Sequence, residues 1–206
     1  MADPRTSEAT SSLLRLIAEQ YAMSIDQLGR FAEMDETKAA ELVEELTGLG
    51  YVEKRAFLAC QPEWVWLTER GAERSGTRFG AMCPEAGSLE RIRALNEVRL
   101  QVARRAPGAR WISGRSILRD QGNRGFRPHA VIEIEKERHA IAIRLGHVRA
   151  QEAEQDFLET LMARYDALVV FVTPKRLSPQ SRLADEHDWP KLVIRPIPEG
   201  PSASRI

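Results

Sequence analysis

The most restrictive feature of the sequence is the run Ala-Leu-Val-Val-Phe-Val at positions 167–172, six apolar residues without polar alternation. A strand with one solvated face alternates apolar and polar side chains, so this run calls for a sheet covered on both faces. A helix is expected before it, over 149–165, and the antiparallel strands 130–134 and 140–145 are joined by the polar turn 135–138. Leu89, Ile92, Leu95, Val98, Leu100 and Val102 place a long amphipathic helix over 88–105, and short strands follow at 110–112 and 192–197. The order αβββαβ(α)β mixes a hairpin with a helix crossover, which is the pattern of an α/β sandwich.

That sandwich needs only the second part of the chain. Residues 77–87, Thr-Arg-Phe-Gly-Ala-Met-Cys-Pro-Glu-Ala-Gly, interrupt the periodic segments and read as a linker. Charge changes sign across them. Residues 1–76 hold 8 basic and 14 acidic side chains, a net of −6, and residues 77–206 hold 22 and 16, a net of +6, so the whole sums to zero. Neutrality excludes a uniformly basic protein but not two halves of opposite sign. Between 77 and 130 stand 11 Arg and 4 acids. Such a stretch supplies either an electrostatic footprint for nucleic acid or a solvated helix face with Arg used in packing, and composition leaves both open.

The first module reads as three helices, a hairpin and a helix. Leu13, Leu14, Ile17 and Ala18 mark the first helix. Ser24 is the expected N-cap of the second, with Ile25, Leu28 and Phe31 inward; Ala39, Leu42, Val43 and Leu46 form one face of the third, from Asp35. Residues 51–58 and 64–67 read as paired strands before a helix from Thr68. This order is a winged helix-turn-helix, and "GYVEKR…WVWLTERG" resembles the end of the MarR and PadR type of repressor domain over about 65 residues. The resemblance implies DNA contacts from Thr37 and Lys38 in the third helix and from Lys54 and Arg55 on the wing. Yet Asp35, Glu36, Glu41, Glu44 and Glu45 outnumber Lys38 on that helix, which leaves a protein partner on the acidic third helix, or dimerisation, equally open.

The second module resembles the PD-(D/E)XK nuclease fold, and more narrowly the replication-relaxation family, on "RWISGRSILRD", "GFRPHAVIEI", "HAIAIRLGHV" and "YDALVVFV". In active nucleases of this fold an Asp and a Glu-x-Lys pair hold Mg²⁺, which prefers hard oxygen ligands. Here the corresponding positions are His129, Arg144 and Gly146, poor ligands for that ion. The resemblance therefore implies an α+β protein: a winged helix-turn-helix (12–76) joined to a catalytically degenerate nuclease-like domain (88–197), with flexible ends at 1–11 and 198–206. The expected function is non-enzymatic DNA binding in plasmid or mobile-element replication, mobilisation or transcriptional control. Arg104, Arg105, Arg115, Arg124 and Arg127 are the expected contacts in the second module. Two alternatives stay open, a protein-interaction or dimerisation module and a nuclease whose ligands have moved to Glu133 and Glu135.

Other residues carry less. Cys60 and Cys83 lack metal or disulfide spacing, and His139, His147 and His187 have no ligand spacing, so no metal or cofactor is expected. Residues 113–116, Ser-Gly-Arg-Ser, lack the phosphate-loop spacing and read as a strand-to-helix turn. Trp64 and Trp66 share a strand face and read as a core or dimer contact ahead of an exposed stacking pair. The absence of a leader-like or membrane-length apolar run sets the expectation of a cytoplasmic protein with no membrane partner.

Overall fold

The computed structural model describes residues 8–57, 62–122, 125–146, 151–177 and 189–200. Among them the chain is a mixed α+β protein with seven α-helices and two sheets. It divides into two compact units, Met1–Asn96 and Glu97–Ile206. The division falls inside one helix, beyond the expected linker at 77–87. No described helix is long and apolar enough to cross a membrane.

The first unit runs α1 (Glu8–Gln20), β1 (Met23–Ser24), α2 (Ile25–Phe31), α3 (Glu36–Gly48), β2 (Val52–Arg55), β3 (Trp64–Leu67) and α4 (Glu69–Arg74), followed by the start of α5 (Leu89–Arg105). Its antiparallel sheet has the order β1-β3-β2. Local chemistry sets the helix starts. The Asp35 carboxylate accepts the Lys38 amide, and the Thr68 hydroxyl oxygen accepts the Gly71 amide while donating to the Gly50 carbonyl. Gly71 permits a close approach, since a Cβ there would lie 1.8 Å from the Tyr51 carbonyl oxygen. The core joins Leu14, Ile17, Leu28, Val43, Leu46 and Val65. Trp64 and Trp66 are buried with Ala22 and Leu89, so the stacking-pair alternative does not describe them.

Ser24 stands at the N-cap position of α2 but makes no capping bond. Its hydroxyl instead accepts from Arg93 of α5, whose guanidinium also grips Asp26 with Nη1 at 3.3 Å and Nη2 at 3.0 Å. Asn96 donates to the Ala22 carbonyl and the Gln27 side chain, and Gln27 donates to the Arg93 carbonyl. These bonds satisfy Ser24, Gln27 and Asn96, all fully buried, which would otherwise cost about 1–3 kcal/mol apiece.

The second unit continues with β4 (Arg110–Ser113), α6 (Gly114–Gln121), β5 (Ala130–Ile134), β6 (Glu137–Arg144), α7 (Gln151–Arg164), β7 (Ala167–Val172) and β8 (Leu192–Pro196). Its sheet has the order β4-β5-β6-β7-β8, antiparallel through β6 and parallel from β6 to β8, with α7 as the crossover. Leu168, Val170 and Val172 of β7 pack with Ile117 of α6 and Phe157, Leu158 and Leu161 of α7. Alternate residues Ile141, Ile143 and Phe171 are also buried, as the 167–172 run demands, although Ala167 and Val169 are only half-buried.

Candidate nucleic-acid interface

Strand direction gathers one set of side chains at one end of the larger sheet. Ser113 pairs with Ala130, Arg144 with Val172 and Val172 with Pro196, so β4, β6, β7 and β8 finish where β5 starts. Arg115, Arg127, His129, Arg144, Gly146, Lys175 and Arg176 follow or flank these termini. Ser113 caps α6 by accepting the Ser116 amide, as a strand-to-helix turn should. Gly114 sits so near β5 that a Cβ would lie 2.6 Å from the His129 carbonyl oxygen.

His129 extends the ladder at this end. Its amide donates to the Ile141 carbonyl at 2.8 Å, and its ring Nδ1 accepts the Ile143 amide at 3.1 Å. An amide only donates, so Nδ1 carries the lone pair and the proton is assigned to Nε2. The imidazole thus stands in for a backbone carbonyl and offers no free Nδ1 to a ligand.

Arg144, the last residue of β6, is held on two sides. Its Nε donates to both Glu154 oxygens, at 2.8 and 3.1 Å, and its Cζ lies 4.0 Å from the centroid of the Phe157 ring. The Arg144 side chain is 19% exposed and that of Glu154 7%, so the pair is largely desolvated. Nη1 and Nη2 have no partner among the described residues. A guanidinium fixed through Nε and one ring face presents its outer fork ready to donate to an anionic oxygen. Arg176 binds the Gly146 carbonyl and Lys175 beside it is exposed. Glu133 lies at the other end of β5, within 3.0 Å of Arg110 and 3.4 Å of Arg138. Glu135 occupies the turn beyond it with φ of 56°, so neither acid stands beside His129.

The remaining expected contacts are scattered. Arg104 and Arg105 end α5 on the approach to β4, whereas Arg115 and Arg127 flank its far end; Arg124 lies outside the described residues. Arg127 donates to the Gly122 carbonyl, and Arg104 to that of Leu100. Arg93, Arg99, Arg110 and Arg119 are engaged with Asp26, Trp111, Glu133 and Asp120. The Arg-rich stretch is therefore divided between packing and two separate sheet ends.

In the first unit, Thr37 and Lys38 are exposed in the first turn of α3, and Lys38 lies 3.2 Å from Asp35. Glu36, Glu41, Glu44 and Glu45 are exposed on the same helix. Lys54 is not an open phosphate contact: its ammonium lies 2.6 Å from Glu44 and 3.0 Å from Glu63, and hydrogen bonds to those carboxylates raise its pKa above the ordinary value. Arg55 is exposed and stacks 4.4 Å over Phe57.

Glu154 and Phe157 are the site residues that sequence reasoning missed. They stand three apart on α7, hence on one helix face, a spacing visible in the sequence once Arg144 ends the preceding strand. Comparisons with protein-family models, with curated proteins and with solved structures give no match for the chain.

Proposed function

We propose that the chain is a non-enzymatic nucleic-acid-binding protein whose second unit, a degenerate PD-(D/E)XK-like domain, holds a phosphate through the strand-end guanidinium. The carrying observation is the Arg144 fork, clamped by Glu154 and Phe157 with its outer nitrogens unpartnered among the described residues. The strand order β4-β5-β6-β7-β8 with a crossover helix supports the nuclease-like reading. His129 and Arg144 at the carboxylate positions support the loss of cleavage. The order α1-β1-α2-α3-β2-β3-α4 supports a winged helix in the first unit, and the exposed acids of α3 favour a protein partner for it over a DNA groove. By its resemblance to the replication-relaxation family, the biological setting is a plasmid or mobile element.

Fluorescence anisotropy of a labelled oligonucleotide over a salt series tests this reading. Affinity should fall linearly in a log–log plot against salt, with a slope near −0.7 to −0.9 for each phosphate neutralised. Lys175→Glu, at an exposed position, should weaken binding without unfolding the chain. Absence of binding at low salt, or plasmid cleavage with Mg²⁺ or Mn²⁺, would refute it.

A further inference from the structure

The ring beneath Arg144 has a second neighbour. Phe126, in the segment between α6 and β5, packs against Phe157 with centroids 5.6 Å apart and planes at 84°, yet remains 41% exposed. The Arg144 guanidinium and the exposed Phe126 are thus two contacts of one buried ring, that of Phe157 on α7. A lone exposed aromatic needs no explanation. An exposed aromatic beside an unpartnered guanidinium fork supplies the two halves of nucleotide recognition, a surface for a base and donors for a phosphate.

We infer that this site takes single-stranded nucleic acid, with a base stacked on Phe126 and the adjoining phosphate on Arg144; the inference rests on the nucleic-acid reading proposed above. In a duplex the faces of the bases are covered by their neighbours, so a ring that recognises a base by stacking meets an available face only on a single strand.

The experiment uses the full chain with a labelled oligothymidylate and a labelled duplex of equal length, comparing wild type, Phe126→Ala, Phe126→Trp and Lys175→Glu. Wild type should prefer the single strand. Phe126→Ala should lower single-strand affinity about tenfold, the scale of one base–aromatic stack, and leave duplex affinity unchanged. Phe126→Trp should retain the preference and show indole fluorescence quenched by the single strand. Thermal melting confirms that Phe126→Ala stays folded. Equal binding of the two nucleic acids with no effect of Phe126→Ala overturns the single-strand inference and leaves the broader reading standing, provided that Lys175→Glu still weakens binding. No binding of either nucleic acid overturns both.

Discussion

Arg144→Met isolates the energetics of the strand-end pair. The substitution keeps an unbranched side chain against Phe157 but removes the cation from Glu154, whose side chain is only 7% exposed. Leaving a buried carboxylate without its partner typically costs about 3–5 kcal/mol, and loss of the cation–π contact adds about 0.5–2 kcal/mol, offset in part by thioether packing. A net loss near 4 kcal/mol should lower the unfolding midpoint of a unit this size by well over ~10 °C. The double variant Arg144→Met/Glu154→Leu places two apolar groups against Phe157 and removes both desolvation penalties. It should return to within about 1 kcal/mol of wild type, or exceed it, while oligonucleotide binding should be weakened in both variants for want of the guanidinium. Urea denaturation followed by circular dichroism, with hydrogen exchange at the β6 amides to isolate the second unit, measures both changes. A single variant costing less than ~1 kcal/mol, or a double variant no more stable than the single, would contradict a desolvated pair.

Three other outcomes are expected. Gly71→Ala forces a methyl into the Tyr51 carbonyl 1.8 Å away, so α4 must shift from the start of β2, and denaturant titration should show a loss of about 1–3 kcal/mol. His129→Leu strips the Ile143 amide of its acceptor at a cost of about 1–3 kcal/mol, with faster hydrogen exchange at Ile143 as its local signature; His129→Asn, which can offer an amide oxygen instead, should be milder. Asp35 has its pKa lowered by the hydrogen bond from the Lys38 amide and then by the Lys38 side chain. A folded pKa below the unfolded one gives a contribution fully present above the ordinary value of 3.8 and lost as pH falls through the depressed value. NMR titration of Asp35 should therefore show a midpoint below 3.8, and an unshifted midpoint would refute the cap.

What the sequence made legible was the part governed by local chemistry. The 167–172 run demanded a sheet buried on both faces, and Ser113-Gly114 announced a strand turning into a helix. The Leu89–Arg105 helix followed from its apolar spacing. Partner choice was not legible, because it depends on residues far apart in the chain. Arg93 looks like any solvated helix cation until Asp26, 67 positions away, is brought beside it. Arg144 illustrates the same limit at shorter range: Glu154 and Asp156 both stand on the helix that follows it, and only the phase of α7 selects Glu154. The two-residue strand β1 escaped notice because its pairing with Trp64 and Val65, not its own composition, creates it. Lys54 passed for a free wing cation because Glu44 reaches it from a different element.

The hydrogen bonds from Arg93 and Asn96 also determine where the chain can be cut. Cleavage at residues 77–87, where glycine and proline invite it, would take away the donors that satisfy Ser24, Asp26 and the Gln27 side-chain oxygen, and would strip Leu89 from Trp64 and Trp66. The released fragment would carry buried polar groups without partners beside two newly wetted indoles. Proteolysis within that segment should therefore yield a first fragment that aggregates, whereas a fragment extended through Asn96 should stay in solution.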